Sequence, residues 1–555
     1  MSLLGTTARP WGASLLKSVV IVFAITLAAG CGGGGGSSDG PVTPSDPIDK
    51  PVQPDPGTGD KPGVPDDDPA TPGDDDTGND DPKPGDDPGT VTPLGVSSVA
   101  PATDASAVMV DTVVRFTADV AIDPASVSTE SFRVLDESGR PIAGTVSVEG
   151  KVASFTPAQS LASMSIYTAL ITTAVRGIDG EALAENFTWS FETAPTALEK
   201  AALPDELAEW EANMITYGKK WGNFIGDSSN KTSQRRDAIY YDAQWIFQQI
   251  AEYTGQSEPW LTYARRAEQV YRDGYLAPND FKVPGYWRFP HGLLGDYKAK
   301  GDTTLAQIRK IRDNPAFSNP DTSSYSWKWY HAMYAREVAY GLMAHVTAEK
   351  AGEPRRETRV QMFTGMMDNH LKQWRSGKYG DVSFSGSNDY LQPFMFALVS
   401  QSLIEFYEWE KQNGRNPDAY FADIPGKLAS FARWMFNEAK VRTGTAAGKR
   451  LWIADIGGRS GSWNSNGGTG YGAFLYNDIN NPNLTPDLNL LIAPVYAWTY
   501  MMTGDAQLRS AADDIFASGA ALAAVDWGGK IFNQNYRWSM QYVKWRVEGD
   551  QRWAK

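Results

Sequence analysis

The side chains best able to transfer protons stand at a few places after residue 230. Asp242 lies within RRDAIYYDAQW, between Tyr241 and Trp245, inside a helical pattern where a capping role is less expected. The chain has four histidines. Two of them, His291 in YWRFPHG and His331 in WKWYHAMYAR, stand where helical patterns begin. Carboxylates and imidazoles serve as general acids and bases, so we expect acid–base chemistry from these segments.

Further polar candidates share the same kind of segment, in which a loop leads into a helix. They offer phenol, guanidinium, amide and carboxylate groups for binding or proton transfer. They are Arg288, Tyr330, Asn388, Asp389, Asp487, Asn535, Tyr536 and Arg537. Asp389 and Asp487 also stand where helix N-caps are expected, so a structural role is an alternative for both. For the two histidines the alternative is a satisfied polar group at a helix start.

Tryptophan is concentrated in the same half of the chain. Only Trp11 and Trp189 precede residue 200, which leaves 17 of the 19 tryptophans after it. Trp287, Trp329 and Trp463 stand in or beside long loops. Flat aromatic faces stack on sugar rings, so these residues favour a carbohydrate ligand. The alternative is burial in a helical core.

A repeated unit must position these side chains. An apolar helical pattern, then a glycine and a polar residue, then a second amphipathic helix, recurs five times. The glycines are Gly255, Gly301, Gly352, Gly414 and Gly504. Each can supply a left-handed C-cap, and so short a break predicts an antiparallel helical hairpin. With one further helix before (204–221) and one after (534–546), about six hairpins are expected, and the two ends could pair and close a ring.

The longer connections all lead into the first helix of a hairpin. They are residues 275–288, 314–325, 375–388, 441–486 and 522–532. Long loops in a compact domain are usually functional. We therefore expect them to cluster over one end of the ring and to form the active face there. In one of them the segment NDINNPN around Asp478 could offer oxygens to Ca²⁺, although a turn cluster is the better interpretation.

Residues 94–195 follow a different pattern, with short alternating strands separated by turns. Examples are VRFTADVAIDPASV, ASFTPAQSLASMSIYTALI, the turn RGIDGEAL and the closing WSFETA. The spacing predicts a β-sandwich. The segment resembles the bacterial Ig-like domains of surface-layer and secreted proteins. That resemblance implies a spacer or a glycan-contacting module rather than an enzyme.

The first 93 residues contain no predicted globular fold. Residues 1–30 combine a positive start with a short apolar run, which is typical of a signal peptide. Small residues before Cys31 resemble a bacterial lipobox, which implies lipidation of that cysteine and anchoring to the outer membrane or cell surface. Residues 31–93 are rich in Gly, Pro and Asp and predict a disordered tether. The alternative is an ordinary secreted protein with a stray cysteine.

Charge is divided unevenly along the chain. Residues 1–195 carry 10 Lys+Arg and 27 Asp+Glu, a net of −17, and subtraction from the totals of 51 and 66 leaves 41 against 39 for residues 196–555. The large C-terminal domain is therefore nearly neutral and lacks the basic surface that nucleic acid requires. Phosphate-binding loops, dinucleotide fingerprints and zinc-type histidine pairs are also missing. The sequence predicts a monomer without an organic cofactor.

Residues 196–555, as closed α-hairpins, resemble the (α/α) toroids of carbohydrate-active enzymes in architecture. The expected fold is thus multidomain, a small Ig-like sandwich followed by a large all-α toroid, and an open α-solenoid is the alternative. Toroid lyases cleave uronate chains by β-elimination, which needs a base, an acid and groups that hold the carboxylate. The resemblance implies His331 or His291 as base, Tyr330 or Tyr536 as acid, and Arg288, Arg537, Asn388 and Asn535 as carboxylate-holding groups.

Two alternatives to the lyase remain open. A glycoside hydrolase on the same fold would use Asp242 with Asp389 or Asp487, because hydrolysis needs two carboxylates flanking the scissile bond. A non-catalytic glycan-binding or adhesive surface protein would need neither set. The near-neutral domain favours an anionic substrate slightly, and with it β-elimination.

Overall fold

The computed structural model describes residues 93–300, 302–313, 330–379, 382–383, 390–459, 467–479 and 483–553. The predicted signal peptide, tether and lipidation site at Cys31 lie outside these residues, as do Gly301, Trp329, Asn388, Asp389 and Trp463. In the described part no helix is both long and apolar enough to cross a bilayer.

The first folded region is a β-sandwich of eight strands. They are β1 Val96–Ala100, β2 Ala105–Val108, β3 Val114–Ala118, β4 Phe132–Leu135, β5 Gly144–Glu149, β6 Val152–Pro157, β7 Ile166–Ile171 and β8 Phe187–Thr193. One sheet has the order β1-β3-β6-β5 and the other β2-β8-β7-β4, with only the β2–β8 pair parallel. The six strands from β3 onward follow the predicted alternation, whereas β1 and β2, which consist of small and polar residues beside valine, were not predicted.

Alternate residues of both sheets fill the sandwich interior. Phe132 lies at its centre, with ring centroids 5.1 Å from Phe116, 6.1 Å from Phe155 and 6.2 Å from Trp189. All four side chains are buried. Because side chains in a strand alternate between faces, this single apolar face explains the period of two in the sequence.

The second region is all-helical. Its helices are α1 Ala197–Lys200, α2 Leu207–Gly226, α3 Thr232–Ala238, α4 Ala243–Thr254, α5 Trp260–Glu268, α6 His291–Lys300, α7 Asp302–Arg312, α8 Ala335–Lys350, α9 Glu357–Ser376, α10 Pro393–Gln412, α11 Ile424–Asn437, α12 Asn489–Thr503, α13 Ala506–Leu522, α14 Gly529–Tyr536 and α15 Met540–Trp553. The predicted fold class, a β-sandwich followed by a large all-α region, is confirmed.

The described glycines at the hairpin breaks have the positive φ angles that the sequence predicts. Gly255 and Gly504 take left-handed conformations (φ of 65° and 73°) and cap α4 and α12. Asp505 then caps α13 by accepting a hydrogen bond from the Gln507 backbone N–H at 2.9 Å. Gly352 and Gly414 also have positive φ but lie one residue beyond their caps. The opening and closing chemistry of these hairpins is therefore local.

Six helices form a closed circuit of contacts, which we call the inner ring. The order is α4, α6, α8, α10, α12 and α14, and α14 returns to α4. The remaining long helices pack outside, and α2 contacts α5, α13 and α14, so the two ends of the helical region meet. The Trp210 indole N–H of α2 donates to Ser539 Oγ at 3.2 Å across this closure.

One predicted helix is wrong. Residues 534–546 were expected to be continuous, but the chain breaks at 537–539 between α14 and α15. The break turns Arg537 into the ring interior, where its side chain is fully buried. The predicted loop 522–532 is also shorter in the structure, because α14 already begins at Gly529.

The sandwich contacts the helical region directly. Lys298 Nζ of α6 lies 2.5 Å from Asp104 Oδ2, and Lys544 Nζ of α15 lies 2.6 Å from Glu192 Oε2. Ala107 packs against the helical core. The Ig-like region is therefore docked on the helical region.

Candidate functional site

The site begins at a strained turn before α4. Tyr241 and Asp242 have φ of 72° and 69°, in the left-handed region that residues with a side chain rarely adopt. Such conformations cost about 1–3 kcal/mol each and cluster at functional sites. Asp242 is the N-cap of α4, its Oδ1 accepting from the Trp245 N–H at 3.4 Å. The sequence interpretation, which placed Asp242 inside its helix rather than at a cap, is wrong on this point.

Asp242 also joins α4 to α6. Its Oδ2 accepts a hydrogen bond from the Gly292 backbone N–H at 3.2 Å. A Cβ at Gly292 would lie 2.8 Å from Asp242 Oδ1, so only glycine lets the two helices approach so closely here. The carboxylate is 2% exposed and lies 3.9 Å from Nδ1 of His291.

His291 is held by a second carboxylate on its other nitrogen. Nε2 lies 2.8 Å from Glu405 Oε2, a residue of α10. Burial alone would raise the pKa of Glu405, but His291 and Lys350 outweigh burial and lower it, so Glu405 is anionic and must accept the hydrogen bond. The proton therefore resides on Nε2. The Nδ1 atom is buried without a hydrogen-bond partner, and its lone pair is available in the neutral ring.

The imidazole is fixed by stacking as well as by hydrogen bonding. Trp245 lies parallel to it, with ring centroids 4.3 Å apart and an interplanar angle of 18°. Solvent reaches the pair from one side, since the His291 and Glu405 side chains are 10% and 18% exposed. The arrangement is that of a base oriented by a carboxylate.

The hydrogen bonds continue into a loop that we call the polar circuit. Gln401 Nε2 donates to Glu405 Oε1 at 2.7 Å, and Gln401 Oε1 accepts from Arg537 Nε at 2.8 Å. Arg537 Nη1 donates to the carbonyl of Tyr241 at 3.2 Å, which returns the chain of contacts to the residue before Asp242. Four segments distant in sequence thus hold one another in place.

Arg537 is a fully buried cation that forms no ion pair with any described residue. Its guanidinium lies over the rings of Trp245 and Tyr340, 5.6 Å and 5.2 Å from their centroids. Its charge lowers the pKa of the nearby Asp242 carboxyl, which is the counter-charge that the structure supplies. Burying a charge is otherwise costly, so the guanidinium depends on that carboxyl and on its hydrogen bonds.

Tyr340 lies beside Arg537 on α8. Its side chain is fully buried, and its hydroxyl has no hydrogen-bond partner among the described residues. Burial raises the pKa of Tyr340, while Arg537 and Arg336 oppose the shift, so the phenol keeps its proton at neutral pH. The pKa of Asp242 is likewise raised by burial, against the lowering effect of His291 and Arg537.

The structure brings together three of the predicted residues, Asp242, His291 and Arg537. Glu405, Gln401 and Tyr340 were missed. Their only sequence signal is a polar residue inside an apolar helix, as with Gln401 and Glu405 four residues apart in LVSQSLIEFYEW.

Other predicted residues lie elsewhere. Tyr536 is buried in the core, with its hydroxyl donating to the Trp210 carbonyl at 2.8 Å. Asn535 Nδ2 donates to Ile531 O at 2.9 Å. Asp487 Oδ1 accepts from the Ala524 N–H at 2.5 Å.

The remaining candidates frame the site or stand apart from the polar circuit. Trp287 packs among aromatic rings 4.6–5.7 Å away, Arg288 is buried next to it, and Tyr330 is 39% exposed on the surface. His331 is the N-cap residue of the 3₁₀ helix Ala332–Tyr334, and its side chain makes no capping hydrogen bond.

The proposed Ca²⁺ ligand Asp478 already has partners. Its Oδ2 lies 3.0 Å from Arg442 Nε, and its Oδ1 accepts from the Leu391 N–H at 2.8 Å. Burial raises its pKa to about 6, with Arg442 opposing. Within the described residues no cluster of three potential metal ligands occurs.

Comparison with known proteins identifies the first region only. No curated protein matches the chain. Residues 90–193 match the family model of the bacterial Ig-like domain, a domain typical of bacterial surface or exported proteins.

Proposed function

We propose that this chain is an exported bacterial surface protein whose helical region cleaves a uronate-containing polysaccharide by β-elimination. The observation that carries the proposal is the geometry of His291, which Glu405 orients through Nε2 while Nδ1 makes no hydrogen bond and lies 3.9 Å from Asp242 Oδ2. A neutral imidazole held in this way can remove a proton.

The neighbouring groups supply the other requirements of the reaction. His291 Nδ1 takes the C5 proton of the uronate, the C4–O bond breaks, and a C4–C5 double bond forms. Tyr340 donates its proton to the departing oxygen. Arg537, a buried cation, stabilises the negative charge that builds on the substrate carboxylate. Tyr340 thus takes the role that the sequence interpretation gave to Tyr330 or Tyr536.

Hydrolysis receives less support from the same geometry. Asp242 and Glu405 have pKa values shifted in opposite directions, as an acid and a base would require. However, the imidazole of His291 stands between them, where a hydrolase needs space for a sugar and a water. Asp487, the predicted partner of Asp242, is held by the Ala524 N–H instead.

The N-terminal third fits the same function. The Ig-like domain is typical of exported proteins. A lipid on Cys31 and the Asp- and Pro-rich segment 31–93 would hold the helical region away from the membrane, within reach of an external polymer.

The test is incubation of the full-length protein with a panel of neutral and uronate polysaccharides. Two signals are followed together, the ultraviolet absorbance of a C4–C5 double bond and the release of reducing ends. We expect both to rise on a uronate polymer. Reducing ends without absorbance would contradict β-elimination and support hydrolysis. The absence of both signals would leave glycan binding as the remaining function.

A further inference from the structure

Trp527 is a large apolar side chain that is exposed to solvent on a turn held by several contacts. Its side chain is 60% exposed in the connection 523–528 between α13 and α14. Several contacts fix that connection. They are Trp221 Nε1 to Val525 O at 2.9 Å, Lys220 Nζ to Asp526 O at 2.7 Å, Arg459 Nη1 to Asp526 Oδ1 at 3.0 Å and the Ala524 N–H to Asp487 Oδ1 at 2.5 Å. A turn that is held in place by these contacts and exposes an indole to solvent is suited to binding a ligand.

More cations than acids stand near this turn. Lys220 and Arg459 contact the residue before Trp527, and Lys530 is the second residue of α14, three positions after Trp527. Two acids stand beside them, Asp526, which is paired with Arg459, and Asp487, which accepts from the Ala524 N–H. The small excess of positive charge favours an anionic partner.

A path of contacts runs from this turn toward the polar circuit. Lys530 Nζ lies 5.4 Å from the centre of the Tyr240 ring, and Tyr240 stands edge-on to Tyr241 at 4.7 Å. Helix α14 spans eight residues from Gly529 to Tyr536. At 1.5 Å per residue it places the turn about 12 Å along the axis from Arg537.

We infer that Trp527 is the stacking platform of a second sugar-binding subsite, which holds an anionic polysaccharide chain one helix length away from the polar circuit. Aromatic faces bind sugar rings by dispersion, and nearby cations attract their carboxylates. The identity of the occupant rests on the proposed function, whereas the platform itself rests on exposure, bracing and charge.

The experiment measures binding separately from cleavage. The full-length protein carrying His291→Ala, which lacks the proposed base, is titrated calorimetrically with short and long oligogalacturonates and oligomannuronates and with neutral oligosaccharides of the same lengths. The same titrations are made with Trp527→Ala and Trp527→Phe added. Trp553→Ala is the matched control, because Trp553 is also exposed (45%) but packs on the hairpin turn at Gly504.

We expect Trp527→Ala to raise the Kd for long oligouronates about tenfold, and Trp527→Phe to recover most of that loss because it keeps an aromatic face. A Kd change no larger than that of Trp553→Ala would overturn the subsite. Equal binding of neutral oligosaccharides through Trp527 would overturn its anionic specificity. If long oligouronates bind through Trp527 but no double bond forms with the unmodified protein, the cleavage proposal fails while the subsite stands.

Discussion

The β-sandwich and the centre of the inner ring fill their interiors in opposite ways. Within the described sandwich the buried polar side chains are Ser131 and Thr193, and the rest of its interior is apolar. The inner ring instead buries Asp242, Gln401 and Arg537. Polar burial costs free energy unless every group is satisfied, so a fold tolerates it mainly where it serves function. This difference is the reason for which we propose chemistry in the ring and expect the sandwich to contribute stability.

The variant His291→Ala is the strongest test of this difference between the two regions. If His291 is the base, we expect the rate of double-bond formation to fall about 10⁴-fold, because general-base catalysis is removed and Glu405 loses its partner. Thermal stability should fall as well, since the largely buried Glu405 loses the hydrogen bond of Nε2, so the rate is taken per folded molecule. Steady-state kinetics and calorimetric unfolding measure the two quantities.

A second buried histidine provides the control. His345 of α8 bonds the Gly341 carbonyl through Nδ1 at 2.9 Å and packs against Phe363. The variant His345→Gln should lower stability and leave kcat unchanged. Equal rate losses in the two histidine variants would mean that His291 is merely structural.

Phe132→Ala tests the sandwich in the opposite direction. Phe132 fills the space among three other aromatic rings, so we expect a loss of about 4 kcal/mol in the free energy of unfolding. The activity per folded molecule should not change, because the sandwich contributes nothing to the polar circuit. Equilibrium unfolding in urea measures the loss of stability. A lower kcat under conditions where the variant is fully folded would contradict the division between the two regions.

The sequence predicts what is local. A hairpin ends at Gly504 and restarts at Asp505 because a left-handed cap and an N-cap depend on neighbouring residues alone. Strands β3 to β8 follow from alternation for the same reason. Cys31 and the tether remain predictions, since they lie outside the described residues.

The polar circuit could not be predicted because its partners are remote in sequence. Glu405 meets His291 across 114 positions, and Arg537 meets Gln401 across 136. Asp242 was selected because it stood among aromatic residues, not because of its partners. Tyr536 was misleading, since a tyrosine at a helix end has the same local pattern whether its hydroxyl faces a cleft or, as here, the Trp210 carbonyl.

A smaller effect is expected from Tyr340→Phe, which separates the effect of one hydroxyl on stability from its effect on the cleavage rate. The hydroxyl of Tyr340 is buried and unpartnered, so its removal should stabilise the fold by about 1 kcal/mol. The cleavage rate should fall about 10²-fold, because water replaces the phenol as a weaker proton donor. Unfolding and turnover are measured on the same preparation, and a variant that is less stable and fully active would contradict the assignment.

An effect on stability alone is expected at the junction of the two regions, at Glu252 near the end of α4. This carboxyl accepts a hydrogen bond from the Ser106 N–H of β2, with Lys298 and Asp104 nearby and the Lys544–Glu192 pair lining the same cleft. Burial raises its pKa from 4.5 to about 7, against the lowering effects of Ser106 and Lys298. The carboxyl is therefore more easily accommodated when protonated.

The sign of the pH dependence follows from that shift. Below pH 4.5 Glu252 is protonated in both the folded and the unfolded chain, and its ionisation costs nothing. As the pH rises toward 7 the unfolded chain releases the proton first, so stability falls, and above pH 7 the loss is constant. We expect Glu252→Gln to be more stable than the unmodified protein by about 3 kcal/mol at alkaline pH and equal to it at acid pH. Calorimetric unfolding across this range would refute the docked carboxyl if the two proteins kept a constant difference. A difference that disappears at acid pH would place a titrating contact at the sandwich face of α4, and not in the polar circuit.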